Sequence, residues 1–122
     1  MPDFVTKEQL MAQKAFARVS ARQAELSNDK FKEYKSFAFS FPSLIHSCGL
    51  AQAIAFAVAK KRDDYISDLE EVFSAIDSNG NLQERSRNAA IMEYMRISRH
   101  AVSVASWIKR YCQAAPEVNN GE

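Results

Sequence analysis

The sequence predicts an all-α fold: a compact bundle of five to six helices around a buried apolar helix at about residues 50–60 and a long C-terminal helix at about residues 89–114. Three observations carry this. Gln52 is the only strongly polar side chain between Gly49 and Ala59, and a helix that is apolar all round has to be covered on every side or lie in a membrane. Crossing hydrocarbon takes about 20 apolar residues, so this shorter run belongs inside a soluble bundle. The chain has only three glycines and three prolines, too few to turn a β-rich fold. Apart from the run itself, apolar residues recur at spacings of three and four, the period of a helix face.

In chain order, Thr6 and Gln9 form a capping box with Glu8 in the first turn. Ala12, Phe16, Val19, Gln23 and Leu26 then mark one side of a helix to about Leu26, with Lys14, Arg18 and Arg22 every four residues on an adjoining face. Ser27, Asn28 and Asp29 make a turn and the next N-cap. A second helix from about Lys30 carries Phe31, Tyr34, Phe37, Ala38 and Phe41, and Pro42 kinks or restarts it. Gly49 suits a junction between helices. The apolar helix follows, ending in Lys60, Lys61 and Arg62, where positive charge suits the helix dipole. Asp63 or Asp64 caps a fourth helix lined by Ile66, Leu69, Val72, Phe73 and Ile76. Residues 77–81, Asp-Ser-Asn-Gly-Asn, are the strongest turn signal. Residues 82–88 read as a short helix or an irregular lead-in. The last helix bears two apolar stripes: Tyr94, Ile97, Ala101, Val104, Ile108 and Tyr111, then Ile91, Met95, Val102, Ala105 and Cys112. Two stripes mean two neighbours. The 122 residues, 47% hydrophobic, make one domain, with residues 1–5 and 115–122 as frayed tails.

Sixteen basic and fifteen acidic side chains nearly cancel, so nucleic-acid binding has to rest on how charge is distributed. The basic residues are clustered: Lys14, Arg18 and Arg22; Lys30, Lys32 and Lys35; Lys60, Lys61 and Arg62; Arg96 and Arg99; Lys109 and Arg110. One reading is phosphate contact. The other, which composition alone favours, is a solvated surface with charge-matched helix ends. The carboxylates Asp63, Asp64, Asp68, Glu70, Glu71 and Glu93 read as helix surface and caps. Phe39 falls off the aromatic stripe and is either a subunit contact or part of the core.

No nucleotide-loop, hydrolase or metalloprotease motif is present in the sequence. His46, Cys48, His100 and Cys112 are the only material for a thiol or zinc site. Cys48 and Cys112 read instead as buried reduced thiols, and no metal or cofactor is expected. The N-terminus lacks a basic stretch followed by an apolar one, and the expectation is a cytoplasmic, membrane-free protein.

Two stretches together carry a family resemblance. The first is Tyr34-Lys35-Ser36, Phe41-Pro42-Ser43-Leu44-Ile45, Cys48-Gly49-Leu50-Ala51-Gln52-Ala53 and Phe56. The second is Tyr94-Met95-Arg96 followed one helix length later by Trp107-Ile108-Lys109-Arg110-Tyr111. In this order they resemble the small all-helical subunit of type III-B CRISPR effector (Cmr) complexes, over most of residues 10–114. Phe41, the triplet His46-Ser47-Cys48 and Ala51 depart from the family pattern at the scale of packing.

The resemblance implies a non-catalytic subunit. Copies of it stack as a minor filament beside a backbone filament holding the guide RNA, with the target RNA in the channel between them; the backbone and large subunits do the chemistry. It places Lys35, Arg96, Lys109 and Arg110 on the family's basic positions and Trp107 on a tryptophan read as helix packing. Lys14, Arg18, Arg22, Lys60, Lys61, Arg62 and Arg99 join the RNA-contact set from clustering alone. A generic helical protein–protein adaptor without nucleic-acid contact is the alternative.

Overall fold

The computed structural model describes residues 4–115. These form six helices: α1 (Lys7–Glu25), α2 (Asn28–Cys48), α3 (Leu50–Ala59), α4 (Asp63–Phe73), α5 (Leu82–Asn88) and α6 (Ile91–Ala114). The described residues contain no strand. The expected tails fall largely outside them.

Local chemistry sets the helix ends. The Thr6 hydroxyl accepts from the Gln9 N–H while the Gln9 side chain accepts from the Thr6 N–H, the capping box in full. Ser27 caps α2 through Lys30 N–H, and Asn81 caps α5 through Glu84 N–H. Asp63 and Asp64 lie inside the first turn of α4; its N-cap position is Arg62, which makes no side-chain cap. Between α4 and α5, Asp77 accepts from Asn79 N–H and Asn79 from Asn81 N–H, two consecutive side-chain-closed turns.

α6 is the organising element and packs on α1, α2, α4 and α5. It runs in the same direction as α1, since Glu8 meets Trp107 and Phe16 meets Tyr111. It runs opposite to α2, whose start lies near Cys112 and whose end reaches Tyr94. Ile97, Ala101, Val104, Ala105, Ile108 and Cys112 are its buried side chains. Tyr65 of α4 anchors an aromatic cluster, with its ring 5.0 Å from Phe41, 5.2 Å from Phe37 and 5.9 Å from Tyr34.

The junction of α2 and α3 joins the two stretches that carry the family resemblance. Gly49 adopts φ 86°, ψ 162°, backbone that only glycine enters without strain. A Cβ there would lie 3.3 Å from the Tyr94 hydroxyl oxygen, which accepts from the Ala51 N–H at 3.1 Å. The hydroxyl thus satisfies one of the unpaired donors at the start of α3.

Four sequence expectations are corrected. First, α3 is not covered on every side: Leu50, Ala53, Ile54 and Ala57 are buried, but Phe56 is 43% and Val58 46% exposed. Its mixture of alanine and larger apolar residues reads as apolar all round, yet alanine tolerates either environment, and only α2, α4 and α5 cover it substantially. Second, of the two outcomes expected at Pro42 the restart does not occur: α2 continues as one helix through that buried residue. The proline removes one backbone donor, and Phe37, Phe41 and Ile45 keep the helix packed on either side of it. Third, the buried side of α1 is Met11, Ala15 and Val19. Phe16 is exposed and its ring packs edge-on against Tyr111, 5.4 Å away. Fourth, the second stripe of α6 is buried only in its C-terminal half; Ile91 and Met95, with Met92 beside them, are exposed.

Candidate nucleic-acid interface

The rotation of α1 changes the meaning of its arginines. Arg18 and Arg22 lie toward the core side and converge on Asp68 of α4, whose side chain is fully buried. Arg18 Nε donates to Asp68 Oδ1 at 2.8 Å; Arg22 donates through Nε to Oδ2 at 2.8 Å and through Nη2 to Oδ1 at 3.1 Å. The Tyr34 hydroxyl of α2 donates to Oδ2 at 2.5 Å. One carboxylate therefore ties three helices together and has both oxygens saturated. The hydrogen bonds to Asp68 raise both guanidiniums above their ordinary range, against the opposing effect of burial. Burial, then the charge of Asp68, pushes the Tyr34 phenol up, so it remains a neutral donor. Arg18 and Arg22 are thus internal clamps rather than the free cations their spacing suggests, and Asp68 is a core residue rather than helix surface. The signal was in the sequence: Asp68 falls between Tyr65, Leu69 and Val72 on the apolar side of α4, where a carboxylate needs a buried partner.

A second network engages Arg96. It donates to Glu93 Oε2 at 2.9 Å and to Asp77 Oδ2 at 3.2 Å. Arg85 completes the ring by bonding Glu93 and by pairing with Asp77 at 3.0 Å. Burial pushes the Asp77 carboxyl up, but the Asn79 N–H and the two arginines outweigh it and hold it below its ordinary value. Arg62 is likewise engaged, with Glu33 at 3.4 Å and its guanidinium over the Phe37 ring.

The remaining predicted cations lack a carboxylate partner among the described residues. Lys14, Lys60, Lys61, Arg99 and Arg110 are exposed. Lys60 Nζ lies 5.5 Å from the Phe56 ring centre, and Lys35 Nζ the same distance from that of Phe31. The antiparallel packing of α2 and α6 draws two of the resemblance-derived positions together. Lys35 lines a groove with Cys112 and Gln113, and Lys109 lies one helical turn before those residues on the same side of α6. Arg110 is on the neighbouring face, beside Trp107 and Glu8. Trp107 donates its indole N–H to Glu8 at 2.8 Å and stacks on Tyr111 at 5.9 Å, which fits helix packing.

His46, Cys48, His100 and Cys112 do not converge: among the described residues no three His, Cys, Asp or Glu side chains are placed to hold a metal ion. Cys48 donates to the Leu44 carbonyl at 3.1 Å. Burial pushes the Cys112 thiol up to about 12, far from a reactive thiolate. Burial, then the charges of Lys7 and Arg96, push His100 down. No helix among the described residues is long and apolar enough to cross a membrane.

Comparison with known proteins agrees with this architecture. A family model described as CRISPR-associated protein (Cas_Cmr5) matches residues 7–115. The chain belongs to the Cmr5 family. The CRISPR system Cmr subunit Cmr5 of Thermus thermophilus is 33% identical over 115 residues, which cover 92% of this chain and 97% of that protein. The crystal structure of a CRISPR-associated Cmr5 family protein from the same organism superposes with a TM-score of 0.77 at 31% identity, covering 91% of this chain and 97% of that one. The resemblance drawn from Tyr34–Phe56 and Tyr94–Tyr111 therefore held. Within the Cmr5 architecture, those stretches supply the Gly49–Tyr94 junction and, through Lys35, Ser36 and Phe39, most of the α2 wall of the groove.

Proposed function

We propose that this Cmr5-family chain is a non-catalytic small subunit of an RNA-guided CRISPR Cmr complex. In this reading, copies of the chain stack as a minor filament beside the backbone subunits and help hold the guide–target RNA through its phosphates. The observation that carries it is the groove between α2 and α6 whose lining holds Lys32 and Lys35 and no carboxylate. Phosphate contacts give affinity without a base code, as suits a complex in which base pairing reads the sequence. A net charge of +1 makes one copy a weak binder, and a row of copies gains by avidity. Exposed Ile91, Met92 and Met95 at the opposite end of α6 offer apolar contact to neighbouring subunits.

The same apolar side chains favour the second reading, a helical adaptor without RNA contact. Reconstituting the complex with and without this chain, at two salt concentrations, separates the two. Target-RNA association that depends on the chain and weakens steeply with salt supports the first reading. Co-assembly without any RNA effect supports the adaptor.

A further inference from the structure

The groove between the first half of α2 and the end of α6 has a volume of about 440 Å³ and is lined by Lys32, Lys35, Ser36, Phe39, Cys112 and Gln113. Its walls contain two cations and no carboxylate. The buried Cys112 thiol stays neutral, so it sets no negative charge against the lysines. Phe39 is 39% exposed and pairs with no other ring and no cation among the described residues. That distinguishes it from the other half-exposed rings of the helices. Phe56 lies beside Phe37 and under Lys60, Phe16 is packed on Tyr111, and Trp107 is held by Glu8 and Tyr111. The cavity beside Lys14 is walled by Leu10, Gln13, Ser74 and Ala75 and has no aromatic. The α2–α6 groove joins an unengaged aromatic face to cations that have no carboxylate partner among the described residues.

The spacing along α2 is regular. Lys35 and Lys32 precede Phe39 by four and seven residues, one and two turns on the same side. At a rise of 1.5 Å per residue they lie about 6 Å and about 10 Å back along the axis. On α6, Lys109 lies one helical turn before Cys112 and Gln113. Ser36 and Gln113 add hydrogen-bonding groups to the lining.

We propose that this groove is a stacking site for single-stranded RNA: one unstacked base lies on Phe39, and the phosphates on one side of it run along Lys35 and Lys32 toward the start of α2. The inference rests on the RNA-holding function above and adds to it a preference for single strand over duplex, because a base inside a duplex is stacked on its neighbours and has no face to offer. Stacking on an aromatic tolerates any base, which agrees with a subunit that reads no sequence.

The test is equilibrium binding of a labelled 12-nucleotide oligouridine and of a 12-base-pair RNA duplex to the full chain at low salt, with Phe39→Ala, Phe39→Trp and the pair Lys32→Ala with Lys35→Ala. Helicity is checked for each variant. Phe39→Ala is expected to weaken oligouridine binding roughly 5- to 150-fold, the range for losing one base–aromatic stack, and to leave duplex binding unchanged. Phe39→Trp is expected to retain wild-type affinity, and the lysine pair to flatten the salt dependence. Equal oligouridine binding by folded Phe39→Ala and wild type overturns the groove; if Lys109→Glu with Arg110→Glu still weakens binding, the phosphate-holding function stands without it. Absence of oligouridine binding by the wild-type chain also overturns the groove, and the reconstitution above then judges the function separately. Loss of assembly with the other Cmr subunits on Phe39→Ala, with oligouridine affinity unchanged, makes the groove a protein-docking surface and overturns the stacking site.

Discussion

Two sets of basic residues in this chain look alike in sequence and do opposite things. Arg18 and Arg22 on α1 turn inward and bind the buried Asp68. Lys32 and Lys35 on α2 line a groove whose walls contain no acid. Both sets have helical spacing, so periodicity does not separate them. What does is whether a carboxylate lies across the packing interface. A buried carboxylate converts cations into structural ties, and its absence leaves them free for an external anion.

The contrast can be broken most severely at Asp68. Asp68→Ala leaves two guanidiniums and the Tyr34 hydroxyl without their acceptor, and breaking a buried ion pair from one side costs about 3–5 kcal/mol. Urea denaturation is expected to show that loss, and an unchanged midpoint would place the arginines in solvent. Gly49→Ala comes next. It forces a side chain into positive-φ backbone and against the Tyr94 hydroxyl, for an expected loss of about 1–3 kcal/mol by the same measurement.

The Asp77 network gives a smaller, pH-dependent effect. Its carboxyl is held below the ordinary value in the fold, so its contribution is present above the unfolded value, about 4, and is lost as pH falls through the lower folded value. The stability gap between wild type and Asp77→Asn is expected at about 1 kcal/mol near neutrality and to close as urea midpoints are followed toward pH 3. The smallest stability effect belongs to the groove side. Lys109→Glu with Arg110→Glu is expected to change unfolding by less than about 0.5 kcal/mol while weakening RNA association at low salt more than at high salt. A large fall in stability instead would assign these residues to the fold.

The helices were legible because their caps and apolar spacings are local. Thr6 with Gln9, Ser27 and Gly49 mark their boundaries in sequence and in structure alike. The face of α1 was not legible, because its core side contains Arg18 and Arg22 and only the remote Asp68 makes that side habitable for charge. Asp68 itself was readable in principle, from its place between Leu69 and Tyr65. The exposure of Phe56 and Val58 was not, since it depends on how many neighbours α3 acquires. Of the candidate site, the family resemblance supplied Lys35, Lys109 and Arg110. The groove that gathers Lys35 beside Cys112 follows from the antiparallel meeting of α2 and α6, and no local pattern encodes a meeting across more than seventy residues.

α6 is also the last of the six helices the ribosome delivers, and four others pack on it. Until Ile97, Val104, Ile108 and Cys112 have emerged, the earlier helices lack the element on which α1, α2, α4 and α5 all pack. Folding therefore completes only after α6 has left the ribosome. Cutting the last three turns from α6 removes Val104, Ala105, Ile108 and Cys112 from the centre of the domain rather than trimming its edge.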